Sequence, residues 1–324
     1  MKTTQGENPA LGLFNGIMQI HKLLRKIELA GMDPKTKKGA KPVAAAINGT
    51  AAGIGLELPL ACHRIFAIDN EKSKIGLPEI LVGIFPGAGG TTRLVRKLGA
   101  MNAAPFLLEG KMLSPSKMKL AGVIDELTEE SDLLSRAKAW VLDATDADCI
   151  KPWDDKSYKM PGGGPYHPNG YMTFAGASVM VNSKTQGAFP AAKTLLSAVY
   201  EGAQVPFETA LKIEARWFTK ILMNPSSESM IRSLFINKEA LEKGAVRPKD
   251  IPNQKVEKIG ILGAGMMGAG ISYVSALAGI KVVLLDMKEE DAQKGKIHAE
   301  NLLNIGIKRK KIDEKKKSAV LDLI

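Results

Sequence analysis

Ile259-Gly260-Ile261-Leu262-Gly263-Ala264-Gly265-Met266-Met267-Gly268-Ala269-Gly270, running on to Leu284-Leu285-Asp286, contains the stretch that decides the fold. The apolar run Ile259 to Leu262 suits a strand buried on both faces of a parallel sheet. Gly263 permits a tight turn, Gly265 lets backbone approach a pyrophosphate, and Gly268 lets the next helix pack closely on its strand. The free N–H groups of that helix's first turn, at Met266 and Met267, would face phosphates. Ile271 to Ala278 continues the helix, Gly279 stops it, and Lys281 to Leu285 reads as a second buried strand. Asp286 stands at the end of that strand, 18 residues after Gly268, where a carboxylate accepts hydrogen bonds from a ribose 2′-OH and disfavours a 2′-phosphate. The order strand, helix, strand, acid therefore predicts the first βαβ unit of a dinucleotide-binding domain with NAD as cofactor. The chain reaches Ile324 soon after Asp286, so the expectation is of a domain cut short.

Composition frames this unit. The 324 residues are 45% hydrophobic and 24% charged, which suits a globular chain of about two domains. No stretch approaches the roughly 18 uninterrupted apolar residues of a membrane span. The opening Met-Lys-Thr-Thr-Gln-Gly-Glu-Asn-Pro has neither a signal-peptide core nor an Arg-rich amphipathic helix, so the expected address is cytoplasmic. Cys62 and Cys149 are far apart, and His21, His63, His167 and His298 are equally scattered, which argues against a disulfide framework or a metal site. Much of the net charge of +11 lies in Lys35 to Lys41 and Lys308 to Lys317. Solvated charge explains both runs, and aromatic content of 5% argues against single-strand nucleic-acid binding.

Upstream, Leu11 to Leu29 places Leu11, Phe14, Met18, Leu24 and Ile27 at amphipathic-helix spacing. From Pro42, short apolar runs alternate with glycine-rich turns, and Met101 to about Asp143 reads as mostly helical, with Ser114-Pro115 as a cap. Residues 151 to 190, rich in Pro, Gly, Asn and Ser, read as a linker or wrapping segment. Helical spacing returns over 191 to 204, 207 to 223 and 226 to 243. No internal repeat is visible.

Two glutamates, Glu57 and Glu79, sit in otherwise apolar, glycine-rich surroundings. Such a carboxylate must be paired, hydrogen-bonded or protonated, and burial raises its pKa toward the range useful for proton transfer. The turn Gly49 to Gly55 leads into a short helix bearing Glu57, whose free N–H groups could hold a developing oxyanion. Spacing alone does not bring the two together, and a salt bridge at the edge of the core or a helix cap explains each as readily as catalysis does.

Asn48-Gly49 through Glu57-Leu58, Gly76-Leu77-Pro78-Glu79-Ile80 and Pro86-Gly87-Ala88-Gly89-Gly90-Thr91-Thr92-Arg93-Leu94 together resemble the crotonase (enoyl-CoA hydratase/isomerase) superfamily. Pro206 to Phe218 resembles the helical linker of its bifunctional β-oxidation members, in which a hydratase precedes a 3-hydroxyacyl-CoA dehydrogenase. The resemblance covers essentially the whole chain. It implies an α/β protein built as a partial crotonase-like (spiral ββα) domain over residues 1–145, a linker and helical segment over 146–254, and the start of a Rossmann NAD-binding domain over 255–324.

It further implies that Glu57 and Glu79 hold a water between them, Glu57 activating it for attack at the β-carbon and Glu79 delivering a proton to the α-carbon. The thioester oxygen would take the N–H of Ile54, where the family usually has glycine. An acyl-CoA thioester becomes the expected substrate, and a thiolase subunit or a second copy of the chain the expected partner. The β-rich segment that supplies the second donor in the family has no counterpart before Lys41, and no dehydrogenase histidine motif follows the fingerprint; His298 is read as a solvent-facing helical residue. The alternatives are a non-catalytic interaction protein with partial acyl-CoA and nucleotide pockets, and a stand-alone isomerase or hydratase. Uncovered strand edges and apolar faces predict poor solubility.

Overall fold

A computed structural model describes residues 8–252, 254–309 and 311–324; the reading of the extreme N-terminus as lacking a targeting segment falls largely on residues outside these. The chain divides into two compact units, Met1–Ala245 and Val246–Ile324.

The first unit opens with helix α1 (Pro9–Leu29). Asn8 caps it by accepting from the Leu11 N–H at 3.2 Å, and Pro9 occupies the first turn. Its buried stripe is Ile17, His21, Leu24 and Glu28, so two of four inward positions are polar. Leu11 instead is 54% exposed, which corrects the apolar stripe expected from spacing.

Strand β1 (Ala44–Ile47) is followed after three residues by β2 (Ala51–Ala52) and helix α2 (Ile54–Ala61); β3 (Arg64–Ile68) is followed by β4 (Ile75–Gly76) and a 3-10 turn at Pro78–Val82. Each pass sends its first strand into one sheet and its second into another. β1 and β3 pair in parallel with Ala45 opposite Ile65, and β2 and β4 pair in parallel with Ala51 opposite Ile75. This is a spiral of ββα turns. Sequence inspection missed the repeat because the second strand of each pass is only two residues long and the loops between differ.

Helices α3 (Gly90–Leu98) and α4 (Ala100–Leu107) follow, then β5 (Met112–Leu113), antiparallel to β4, helix α5 (Pro115–Leu120), and β6 (Glu126–Thr128), parallel to β3. The central β3 is buried on both faces: Ile65 and Ala67 join the main core with Leu56, Leu60, Ile75 and Phe85, while Phe66 and Ile68 pack on helix α6 (Leu133–Asp143).

The segment expected to be linker contains helix α7 (Pro168–Thr185). It buries only Gly170 and Val181, so no apolar stripe marked it in the sequence. Helices α8 (Pro190–Gly202) and α9 (Phe207–Leu222) pack against each other, and α9 also lies on α1. Beyond them α10 (Pro225–Ile231) and α11 (Lys238–Glu242) are joined by a π-helical stretch, Arg232–Asn237.

In the second unit β7 (Lys258–Leu262), helix α12 (Met266–Leu277) and β8 (Lys281–Leu285) form a βαβ unit whose strands pair in parallel, Ile259 opposite Val282. Helices α13 (Glu289–Lys308) and α14 (Glu314–Leu321) complete it. Ile259, Ile261, Val282 and Leu284 face a core with Ala276, Leu303 and Val320. Leu262 is 84% and Leu285 51% exposed. The expectation of strands buried on both faces is therefore corrected: one face is covered by helices and the other is open. Among the described residues no helix is long and apolar enough to cross a membrane.

Candidate active site

Glu57 points inward from the first turn of α2 and is buried. Helix α2 is pinned at its far end by Lys151, whose buried ammonium donates to the carbonyls of Leu60 (3.0 Å) and Cys62 (2.5 Å). Glu57 Oε1 accepts the N–H groups of Ala88, in the loop before α3, and of Gly90, the first residue of that helix, both at 2.8 Å. That approach requires glycine at position 90, because a Cβ there would stand 2.6 Å from Glu57 Oε1.

Glu79 lies in the 3-10 turn that begins at Pro78, and its Oε2 is buried with no hydrogen-bond partner. A Cβ on Gly53, the residue that opens α2, would meet Glu79 Oε1 at 3.0 Å. The two carboxylates therefore flank one glycine turn. Burial pushes Glu57 up to about 7, with the negative charge of Glu214 adding to the effect. Burial likewise pushes Glu79 up to about 8, reinforced by Glu57. Two carboxyls poised near neutrality, one with an idle buried oxygen, can take and give a proton in the same pH range.

Ile54 is the first residue of α2 and its side chain is 56% exposed. The N–H groups of Leu56 and Glu57 turn back to Gly53 O at 2.8 and 3.1 Å. Among the described residues, no backbone carbonyl receives the Ile54 N–H.

Sequence reasoning missed a third buried carboxylate. Glu214 projects from α9 and accepts from the Gly89 N–H (2.6 Å), the Thr92 N–H (2.8 Å) and the Thr92 hydroxyl (2.6 Å). Burial raises it to about 7. Beside it, His21 Nε2 donates to Gly87 O at 2.8 Å and lies 3.7 Å from Glu214; burial, aided by the Arg93 charge, lowers its pKa to about 4, so this imidazole is neutral. Arg93 and Glu28 form a fully buried ion pair next to them. The available signal was polar residues at core spacing: His21 and Glu28 on the stripe of Ile17 and Leu24, and Glu214 among Ala210, Leu211 and Ala215. A cavity of about 910 Å³ lies between α4, α7 and α8, and neither Glu57 nor Glu79 lines it.

In the second unit Gly263 has a positive φ of 94° and Gly265 caps α12. A Cβ at Gly268 would fall 1.7 Å from Gly263 O, so the helix packs on its strand only with glycine there. Cβ atoms at Gly263 and Gly265 would meet nothing within 4 Å, and Met266 and Met267 are 85% and 70% exposed. The turn thus fronts open space with the first N–H groups of α12 around it, an arrangement that fits a pyrophosphate. Asp286 accepts from the Ala264 N–H (2.6 Å) and the Met287 N–H (2.7 Å), which hold its carboxyl below the usual range. His298 is exposed on α13.

Residues 26–147 match the family model for enoyl-CoA hydratase/isomerase, and residues 258–324 match that for the NAD-binding domain of 3-hydroxyacyl-CoA dehydrogenase. The spiral unit thus carries a match to the first of these families and the βαβ unit a match to the second. Across both regions it is similar to the fatty acid oxidation complex subunit alpha of Shewanella loihica, 35% identical over 83% of this chain and 38% of that protein. The corresponding subunit of Vibrio parahaemolyticus is 35% identical over 77% of this chain and 35% of that one. The chain therefore spans little more than a third of the length of these relatives. Among solved structures it is similar to an enoyl-CoA hydratase from Mycobacterium avium subsp. paratuberculosis, with a TM-score of 0.43 and 18% identity over 74% of this chain and 72% of that one.

Proposed function

We propose that the chain serves fatty-acid β-oxidation, its first unit hydrating a trans-2-enoyl-CoA to the 3-hydroxyacyl-CoA and its second binding the NAD that oxidises that product to the 3-oxoacyl-CoA. The observation that carries the reading is the pairing of Glu57 and Glu79 around one glycine turn, with carboxyls raised to about 7 and 8. Glu57, ionised, takes a proton from water as its oxygen bonds to the β-carbon; Glu79, protonated through its unpartnered oxygen, gives a proton to the α-carbon. The electron pair of the double bond passes through the thioester, whose oxygen the Ile54 N–H receives while its charge grows. Net, one water adds across one double bond.

In the second unit Gly263, Gly265, Met266, Met267 and Gly268 would hold the pyrophosphate, and Asp286 the ribose. NAD supplies the hydride acceptor for the second reaction. The functional division we assign is a hydratase region over 1–145, a helical connection over 146–254 and a cofactor-binding region over 255–324. The relatives are named as subunits of a complex, which supports a partner subunit such as a thiolase, or a second copy of this chain.

The test is the absorbance of crotonyl-CoA with the purified chain. Loss of the enoyl signal that Glu79→Gln abolishes is the expected result; an unchanged signal with folded wild-type protein overturns the hydratase reading.

A further inference from the structure

The loop before α3 and the first turn of that helix hand their peptide N–H groups to two different carboxylates. Ala88 and Gly90 donate to Glu57, whereas Gly89 and Thr92 donate to Glu214. The carbonyl ends of these peptides are held by His21 on Gly87 O and by Arg93 on Ala88 O and Gly89 O, and the two carboxylates take the N–H ends, one for Ala88 and Gly90 and the other for Gly89 and Thr92. Glu57 comes from α2, within the stretch that matches the hydratase family, while Glu214 comes from α9, outside it.

We propose that Glu214 is a positioning residue for the acid–base pair: by taking the N–H groups of Gly89 and Thr92 it aims those of Ala88 and Gly90 at Glu57. This rests on the reading of Glu57 and Glu79 as the hydration pair. The charged or titratable groups facing the cluster are Arg93 from α3, His21 and Glu28 from α1, and Glu79 from the 3-10 turn. His21 is neutral, and the Arg93 charge, paired with Glu28, offsets part of the effect of Glu214 on Glu57. That charge is among the causes holding both Glu57 and Glu79 high. Glu214 has no role as an acid or base toward substrate, because its oxygens are filled by the loop.

The test replaces Glu214 by Gln, whose single amide oxygen can serve only one side, leaving the N–H of either Gly89 or Thr92 facing an amide nitrogen. Amide hydrogen exchange at Ala88 and Gly90, neither of which bonds residue 214, is expected to quicken about tenfold, the worth of roughly one hydrogen bond, while amides of β1 and β3 stay as in wild type. In crotonyl-CoA hydration, kcat falls with KM unchanged, and the acid limb of the pH profile moves to lower pH as a negative neighbour of the Glu57–Glu79 pair is removed. Unchanged exchange at Ala88 and Gly90 in a folded Glu214→Gln protein overturns the proposal. Should Glu214→Gln not fold, Thr92→Val, which removes only one of the three donors to Glu214, is read by the same exchange and by the same criterion. The exchange measurement needs no turnover: quickened exchange in a chain whose wild type is inactive leaves the positioning role standing and removes the hydratase reading alone.

Discussion

Arg93 grips both oxygens of Glu28, Nε to Oε1 at 2.8 Å and Nη2 to Oε2 at 3.0 Å, with neither side chain exposed to solvent. Arg25 adds a contact to Glu28 at 3.2 Å and reaches Asp154 and Glu208, so α1 is fastened to α3, to α9 and to the turn at Pro152–Asp154 by charge as well as by apolar packing.

Breaking that pair leaves a buried ion without a partner. Arg93→Ala is expected to cost about 3–5 kcal/mol in denaturant unfolding, whereas Arg93→Met combined with Glu28→Leu costs less than either single change. A double variant no more stable than the worse single one would show that the pair contributes through packing rather than charge.

The proposed hydration needs Glu57 ionised and Glu79 protonated. With carboxyls at about 7 and 8, kcat/KM against pH is expected to be bell-shaped with its top between those values, the two limbs belonging to the interacting pair rather than to either residue alone. Glu79→Gln should lower kcat by about 10²–10⁴. A flat profile from pH 5 to 9 in the active protein would assign the chemistry elsewhere.

Glu57, Glu79 and Glu214 all bind their protons more tightly folded than unfolded. Their contribution to stability is fully present below the ordinary carboxyl value of 4.5 and is lost as pH rises through about 7 to 8. Glu57→Gln keeps the acceptor for Ala88 and Gly90 but cannot ionise, so its urea midpoint should decline less than that of wild type between pH 5 and 8. His21 acts in the opposite sense: lowered to about 4, it removes stability only as pH falls from its ordinary 6.5 through that value. Equal slopes for variant and wild type above pH 5 would mean that Glu57 titrates normally.

Asp286→Ala deletes the acceptor for the Ala264 N–H and the carboxylate expected to meet the ribose. NADH affinity, followed by nucleotide fluorescence, should fall about tenfold to a hundredfold, and the preference over NADPH should disappear with it. A retained preference would place cofactor selection in other residues.

The βαβ unit was legible because each of its parts obeys a local rule: glycines at the turn, an apolar run on either side, an acid at the end of the second strand. The open sheet face was not, because Leu262 and Leu285 look as apolar as Ile259 and Leu284, and only tertiary cover distinguishes them. Glu57 and Glu79 stood out by contrast with their surroundings, but their juxtaposition depends on how β2 and β4 pair, and two-residue strands leave almost no periodic signal. Glu214 remained hidden among ordinary amphipathic-helix charges; its partners lie more than a hundred residues away, and two of the three are backbone N–H groups, which carry no signature in a sequence. Helix α7 escaped for a different reason, since a helix that buries a glycine and one valine has no stripe to read.

The alternating peptides of residues 88–92 also bear on where the molecule can be cut. The match to the enoyl-CoA hydratase/isomerase model opens at residue 26 and closes at residue 147, and His21 and Glu214 lie beyond its two borders. A fragment trimmed to those borders would leave the N–H groups of Gly89 and Thr92 without the Glu214 acceptor. Any attempt to transplant or miniaturise the proposed hydration centre has to carry α1 and α9 along with it.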